Sequence, residues 1–64
     1  MAEYEKKVRK KLIENGCYFL RHGRGDHDIW YSPITKLPIT VDGEIISRYT
    51  ANGILKRAGI DFHF

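Results

Sequence analysis

Cys17-Tyr18-Phe19-Leu20-Arg21-His22-Gly23-Arg24-Gly25-Asp26-His27-Asp28-Ile29-Trp30-Tyr31-Ser32 is the stretch that decides the fold. Cys17 to His22 is β-prone and carries no helical stripe, so it reads as a strand. Gly23 to Asp26 is a turn, and His27 to Ser32 reads as a second strand. So short a connection joins antiparallel neighbours, which makes the pair a hairpin. On the second strand His27, Ile29 and Tyr31 share one face, and Asp28, Trp30 and Ser32 share the other. Core packing is the first reading for Trp30, with base stacking the alternative for it and for Tyr31.

After the hairpin, Pro33 to Leu37 reads as a loop and Pro38 to Val41 as a third, short strand. Pro38 is tolerated at its start, where no ladder N–H is required. Asp42-Gly43 is a turn. Before the hairpin, Tyr4, Val8 and Leu12 recur every four residues with Ile13 beside them, and charged residues fill the gaps. That is an amphipathic helix from Tyr4 to Asn15, ended by Asn15-Gly16. After the third strand, Ser47 is a good N-cap, and Ala51, Ile54, Leu55 and Ala58 lie on one helical face. Gly53 inside that helix costs about 1 kcal/mol against Ala, and Gly59 stops it. Ile60 and Phe62 either form a terminal strand or lie over the core. Two helices on one face of three antiparallel strands make a two-layer α+β domain of order α-β-β-β-α.

The chain has 64 residues, which bounds it to one domain, 1–64, near the lower limit for a self-sufficient core. At 42% hydrophobic and 30% charged residues it is too apolar for a disordered chain and too charged for a membrane protein. No apolar run is long enough to span a bilayer and no signal pattern opens the sequence. The single Cys17 makes no intrachain disulfide, which fits a reducing, cytoplasmic location. A small core without disulfides gains from a partner chain.

Lys and Arg number 11 against 8 Asp and Glu, a net charge of +3 that favours a polyanionic partner without proving one. The cations cluster at Lys6, Lys7, Arg9, Lys10 and Lys11; at Arg21, His22 and Arg24 beside His27; and at Lys56 and Arg57. The first cluster reads as a solvated helix face. The second is short, interleaved with glycine and followed by aromatics, which suits contact with phosphate.

A histidine at a strand start, just after a basic Gly-rich turn, is accessible and close to bound phosphate. An imidazole can take and give a proton near neutrality. RNA supplies its own nucleophile in the ribose 2′-OH, so a base and a cation on the developing phosphorane make a minimal ribonuclease. No metal or cofactor is needed. The bland alternative for His27 is a surface or capping residue. Asp26-His27-Asp28 has the look of a metal-ligand run, but on a strand the two carboxylates point away from the His27 face. Cys17 reads as a small buried residue and His63 as part of a mobile tail.

Gly23-Arg24-Gly25-Asp26-His27-Asp28-Ile29-Trp30 resembles the Gly-Ser-His segment of the HicA (YcfA-like) toxins. Tyr31-Ser32-Pro33-Ile34-Thr35 and Ile39-Thr40-Val41 continue the similarity. Ser47-Arg48-Tyr49-Thr50-Ala51-Asn52-Gly53-Ile54-Leu55-Lys56-Arg57-Ala58-Gly59 is similar to the family's closing helix, and the opening helix ending at Asn15-Gly16 also fits. The resemblance covers almost the whole chain. It implies a double-stranded-RNA-binding-domain-like fold and a metal-independent, cofactor-free endoribonuclease acting on mRNA. It also implies a HicB-like antitoxin that blocks the active surface, and allows a higher-order toxin–antitoxin oligomer. The family's catalytic His falls on His27. The RNA-contacting residues expected on this reading are Arg21, Arg24, Gly25 and Lys36. Two departures stand out. Asp26 replaces the usual Ser, and Asp42-Gly43-Glu44 replaces a segment that usually carries Pro and a basic residue. Both add negative charge where phosphate approaches, so either RNA binding is altered or Asp26 orients His27.

Three functions compete on these residues. The first is a ribonuclease toxin with His27 as general base or acid and Arg21 and Arg24 holding phosphate. The second is a module of the same fold that binds RNA and cuts nothing. The third is a protein-interaction domain whose basic surface serves an acidic partner.

Overall fold

Residues 4–64 are described by the computed structural model, in the order α1 (Glu5–Glu14), β1 (Tyr18–His22), β2 (Asp28–Ser32), β3 (Leu37–Val41) and α2 (Arg48–Arg57). The strands lie in the order β1-β2-β3, both pairs antiparallel. The helices pack together over one face of this open sheet. This is the α-β-β-β-α arrangement expected from the sequence, and it is consistent with a double-stranded-RNA-binding-domain-like fold.

Both helices stop by the same device. At the end of α1, Gly16 N–H donates to the carbonyl of Ile13 at 3.0 Å and Cys17 N–H to that of Leu12 at 2.9 Å. At the end of α2, Gly59 N–H donates to Lys56 at 3.0 Å and Ile60 N–H to Leu55 at 2.9 Å. These are paired 5→2 and 6→1 bonds of a Schellman motif, which needs a left-handed residue at C′. Gly16 and Gly59 supply it at φ 83° and 78°. Each motif also carries its apolar contact, because Cys17, Leu12, Ile60 and Leu55 are all buried. At the other end of α2 the Ser47 side chain accepts from Tyr49 N–H at 3.1 Å, the N-cap anticipated from its residue type.

Alternation along β2 puts Trp30 and Ser32 in the core and leaves Asp28 half-buried. Trp30 pairs with Ile39 and Asp28 with Val41, so the inner face of β3 is apolar as well. These side chains meet Val8 and Leu12 of α1 and Ala51, Ile54 and Leu55 of α2 in one cluster. Ser32 is fully buried, and its hydroxyl donates to the carbonyl of Ala58 at 2.6 Å. It thus satisfies one of the carbonyls that the end of α2 leaves open.

β1 begins at Tyr18, one residue later than the sequence suggested, because Cys17 is drawn into the α1 terminus. All five of its residues are exposed. Tyr18 faces Tyr31 and Phe19 faces Trp30, but the register then slips, so that Leu20 and Arg21 together oppose Ile29. The tail lies over the core rather than adding a strand. Ile60 is buried, Phe62 and Phe64 pack partly against the cluster, and Phe64 N–H is held by the side-chain oxygen of Asn52 at 2.8 Å. No helix among the described residues is long and apolar enough to cross a membrane.

Candidate active site

The β1–β2 turn closes on its own backbone. Gly23 N–H donates to the carbonyl of His27 at 2.7 Å, and His27 N–H donates to that of Arg24 at 3.0 Å. Gly25 sits at φ 57°, where a side chain would be strained, so the turn needs glycine there. This fixes His27 at the mouth of the hairpin, one residue before β2.

Directly across the β2–β3 ladder stands Asp42. Asp28 pairs with Val41, so the next rung outward holds His27 against Asp42. The His27 Nδ1 lies 2.9 Å from the Asp42 Oδ1. A carboxylate only accepts, so in the neutral ring the contact places the proton on Nδ1 and leaves the lone pair on Nε2. That is the tautomer a general base requires. The His27 side chain is 49% exposed and that of Asp42 38%, so a substrate can reach the ring without the chain opening.

Gly43 makes the pairing possible. A Cβ at that position would lie 2.5 Å from the Asp26 carbonyl oxygen and 2.8 Å from the Asp26 Cβ. Only a glycine lets the segment after β3 press against the hairpin turn. The residue that orients the imidazole is therefore Asp42, not Asp26, the neighbour that the sequence offered for the role. The signal for Asp42 was present as register: once Trp30 faces Ile39, His27 must face Asp42.

The expected RNA-contacting residues are distributed unevenly. Arg24 and Gly25 line the cleft together with His27 and Asp42. Arg21 opposes Ile29, on the face turned away from the helices. Lys36 lies in the β2–β3 turn at φ 58°, its N–H bonded to Ser32 at the other end of β2. Five strand residues, about 17 Å, separate that end from His27. The cleft also gathers acids. Asp26, Asp42 and Glu44 line it, and Asp28 stands beside them.

Asp28 is itself engaged twice. Its Oδ1 lies 2.9 Å from His22 Nδ1, and its Oδ2 lies 3.7 Å from Arg9 Nη2 of α1. This ties the end of β1 and the middle of α1 to the base of the hairpin. Among the described residues no three His, Cys, Asp or Glu side chains converge as a metal site. Phe19 packs edge-on to both Trp30 and His22, so the aromatic row beside the turn is structural as well as exposed.

Compared with known proteins, the chain matches the family model described as the HicA toxin of bacterial toxin-antitoxin over residues 6–60. No curated protein matches it, and no solved structure does.

Proposed function

Since the chain belongs to the HicA family of toxins from bacterial toxin–antitoxin systems, with a cognate antitoxin implied, we propose that it is a metal-independent endoribonuclease whose general base is His27. The observation that carries this reading is the 2.9 Å contact from His27 Nδ1 to Asp42 in an exposed cleft beside Arg24. In the proposed reaction Nε2 of His27 removes the proton of a ribose 2′-OH. The oxygen so freed attacks the adjacent phosphorus, and the bond to the 5′-oxygen breaks. That leaving oxygen takes a proton from solvent. The products are a 2′,3′-cyclic phosphate and a 5′-hydroxyl.

Arg24 donates to the phosphorane oxygens as charge gathers on them. Gly25 has no side chain to hold the strand off the turn. Arg21 meets flanking phosphates on the outer face of the sheet, and Lys36 meets RNA only where the strand runs the length of β2. A HicB-like antitoxin that covers the His27 cleft is the partner this reading calls for, and mRNA is the substrate.

The acid-rich cleft favours one other reading, an RNA-binding module that cuts nothing. One experiment separates them. Purified parent and His27→Ala are incubated with RNA in EDTA and the new ends analysed. Cleavage by the parent alone, leaving 2′,3′-cyclic phosphate, is the expected result. Equal cutting by His27→Ala, a 5′-phosphate end, or strict dependence on Mg²⁺ overturns the mechanism.

A further inference from the structure

Charge is segregated in this molecule. Four of its eight acidic residues, Asp26, Asp28, Asp42 and Glu44, stand in or beside the His27 cleft. Among the described residues lining that cleft with His27, Arg24 is the one cation. Such a cleft gives a polyanion little electrostatic affinity, so a strand cut there must be held elsewhere.

The opposite charge lies on α1. Lys7, Lys10, Lys11 and Glu14 recur at i, i+3, i+4 and i+7, one helical face, and they line a groove closed by Phe62 and Phe64. Glu14 is occupied by Lys11, 3.6 Å away. Lys7 and Lys10 remain as exposed cations on the groove. The ammonium of Lys11 also sits 4.2 Å from the centre of the Phe62 ring. Phe62 and Phe64 meet edge to face at 5.0 Å, and the bond from Phe64 N–H to Asn52 sets the tail in place. The aromatic wall is therefore formed before any ligand arrives, so little ordering cost remains to be met on binding.

We propose that this groove is a second RNA contact, resting on the ribonuclease reading, which holds a single-stranded segment outside the cleft. Phosphates lie on Lys7 and Lys10, and a nucleobase packs against Phe62 and Phe64. Cations beside aromatic faces are the pattern by which single strands are gripped without regard to sequence. Neighbouring lysines on one helix face have a spacing comparable with that of successive phosphates. An acidic protein segment would also satisfy the lysines, but it would leave unanswered how RNA stays near an acidic cleft.

The test measures binding of a short fluorescent oligouridine with 2′-O-methyl riboses, which lacks the nucleophile and so reports binding alone. Lys7→Gln/Lys10→Gln is expected to weaken binding roughly fivefold or more at low salt, and to lower the slope of log affinity against log salt by about 1.4, at about 0.7 per phosphate contact. Phe62→Leu keeps the apolar packing and removes the ring; it is expected to weaken binding roughly fivefold with the slope unchanged. Parental affinity and slope in the double lysine variant overturn the contact, as does a parent protein that does not bind the probe. Loss of antitoxin binding with RNA binding intact makes the groove a protein contact and overturns it too. A parent that binds the probe through these lysines but cuts no RNA leaves the contact standing while the ribonuclease reading falls.

Discussion

His27 and Asp42 meet at 2.9 Å because Gly43, the residue after Asp42, has no side chain to strike the Asp26 backbone. The orientation of the imidazole therefore depends on a close backbone approach between the β1–β2 turn and the segment that follows β3. Each half of this relationship can be tested.

Asp42→Asn keeps the shape of the side chain and removes its charge. The amide can donate to Nδ1, which moves the ring proton to Nε2 and spoils the base. RNA cleavage should fall roughly 100-fold in kcat, less than the roughly 10⁴-fold seen for a fully buried carboxylate, because this pair is partly solvated. Single-turnover kinetics at saturating RNA would show it. Parental kcat would mean that Asp42 does not set the tautomer.

Gly43→Ala pushes a methyl group into the Asp26 carbonyl, a contact of 2.5 Å that the backbone must relieve. A stability loss of about 1–3 kcal/mol is expected, as for other forced insertions into packed sites. Urea unfolding measures it. Cleavage by the folded fraction should fall as well, because the shift carries Asp42 away from His27.

Ser32→Ala removes the buried donor to Ala58 and leaves a carbonyl at the end of α2 without its partner. The cost should be about 1–3 kcal/mol. The site is at the far end of β2 from His27, so kcat measured well below the melting temperature should match the parent. A melting temperature equal to the parent's would show that water replaces the hydroxyl.

Asp26→Ser removes one negative charge from the rim of the cleft. Coulomb repulsion of about 1 kcal/mol between unit charges at 4 Å in water sets the scale, so RNA affinity should rise up to roughly fivefold at low salt. The gain should fade as salt shortens the reach of the charge. Equal affinities at low salt would place Asp26 away from the strand.

Much of this fold is written in local pattern. The apolar stripe of Val8 and Leu12 locates α1, and that of Ala51, Ile54, Leu55 and Ala58 locates α2. Asn15-Gly16 and Ala58-Gly59 mark both helix ends, because a left-handed C′ residue is a local requirement. Alternation from Asp28 to Ser32 names the buried face of β2. What local pattern does not carry is set by pairing between strands. Asp42 becomes the partner of His27 only through the β2–β3 register, and Gly43 matters only because another loop touches it. Lys36 shares a charge with Arg24, but chain direction carries it to the opposite end of the sheet. Local pattern leaves the tail open between strand and cover, because the bond from Phe64 to Asn52 belongs to tertiary structure alone.

The slipped register at Leu20 bears on how the chain behaves at high concentration. β1 is an outer strand, exposed along its whole length and carrying Tyr18, Phe19 and Leu20 in a row. A straight strand of that composition would template sheet growth from one molecule to the next. The extra residue kinks it and breaks the regular spacing of its outward N–H and C=O groups. Deleting Leu20 would restore an even ladder along the edge, and light scattering at rising concentration should then report more self-association than in the parent chain. The bulge, on this view, is a colloidal safeguard: it lets an aromatic edge stay open to solvent without becoming a seed for fibres.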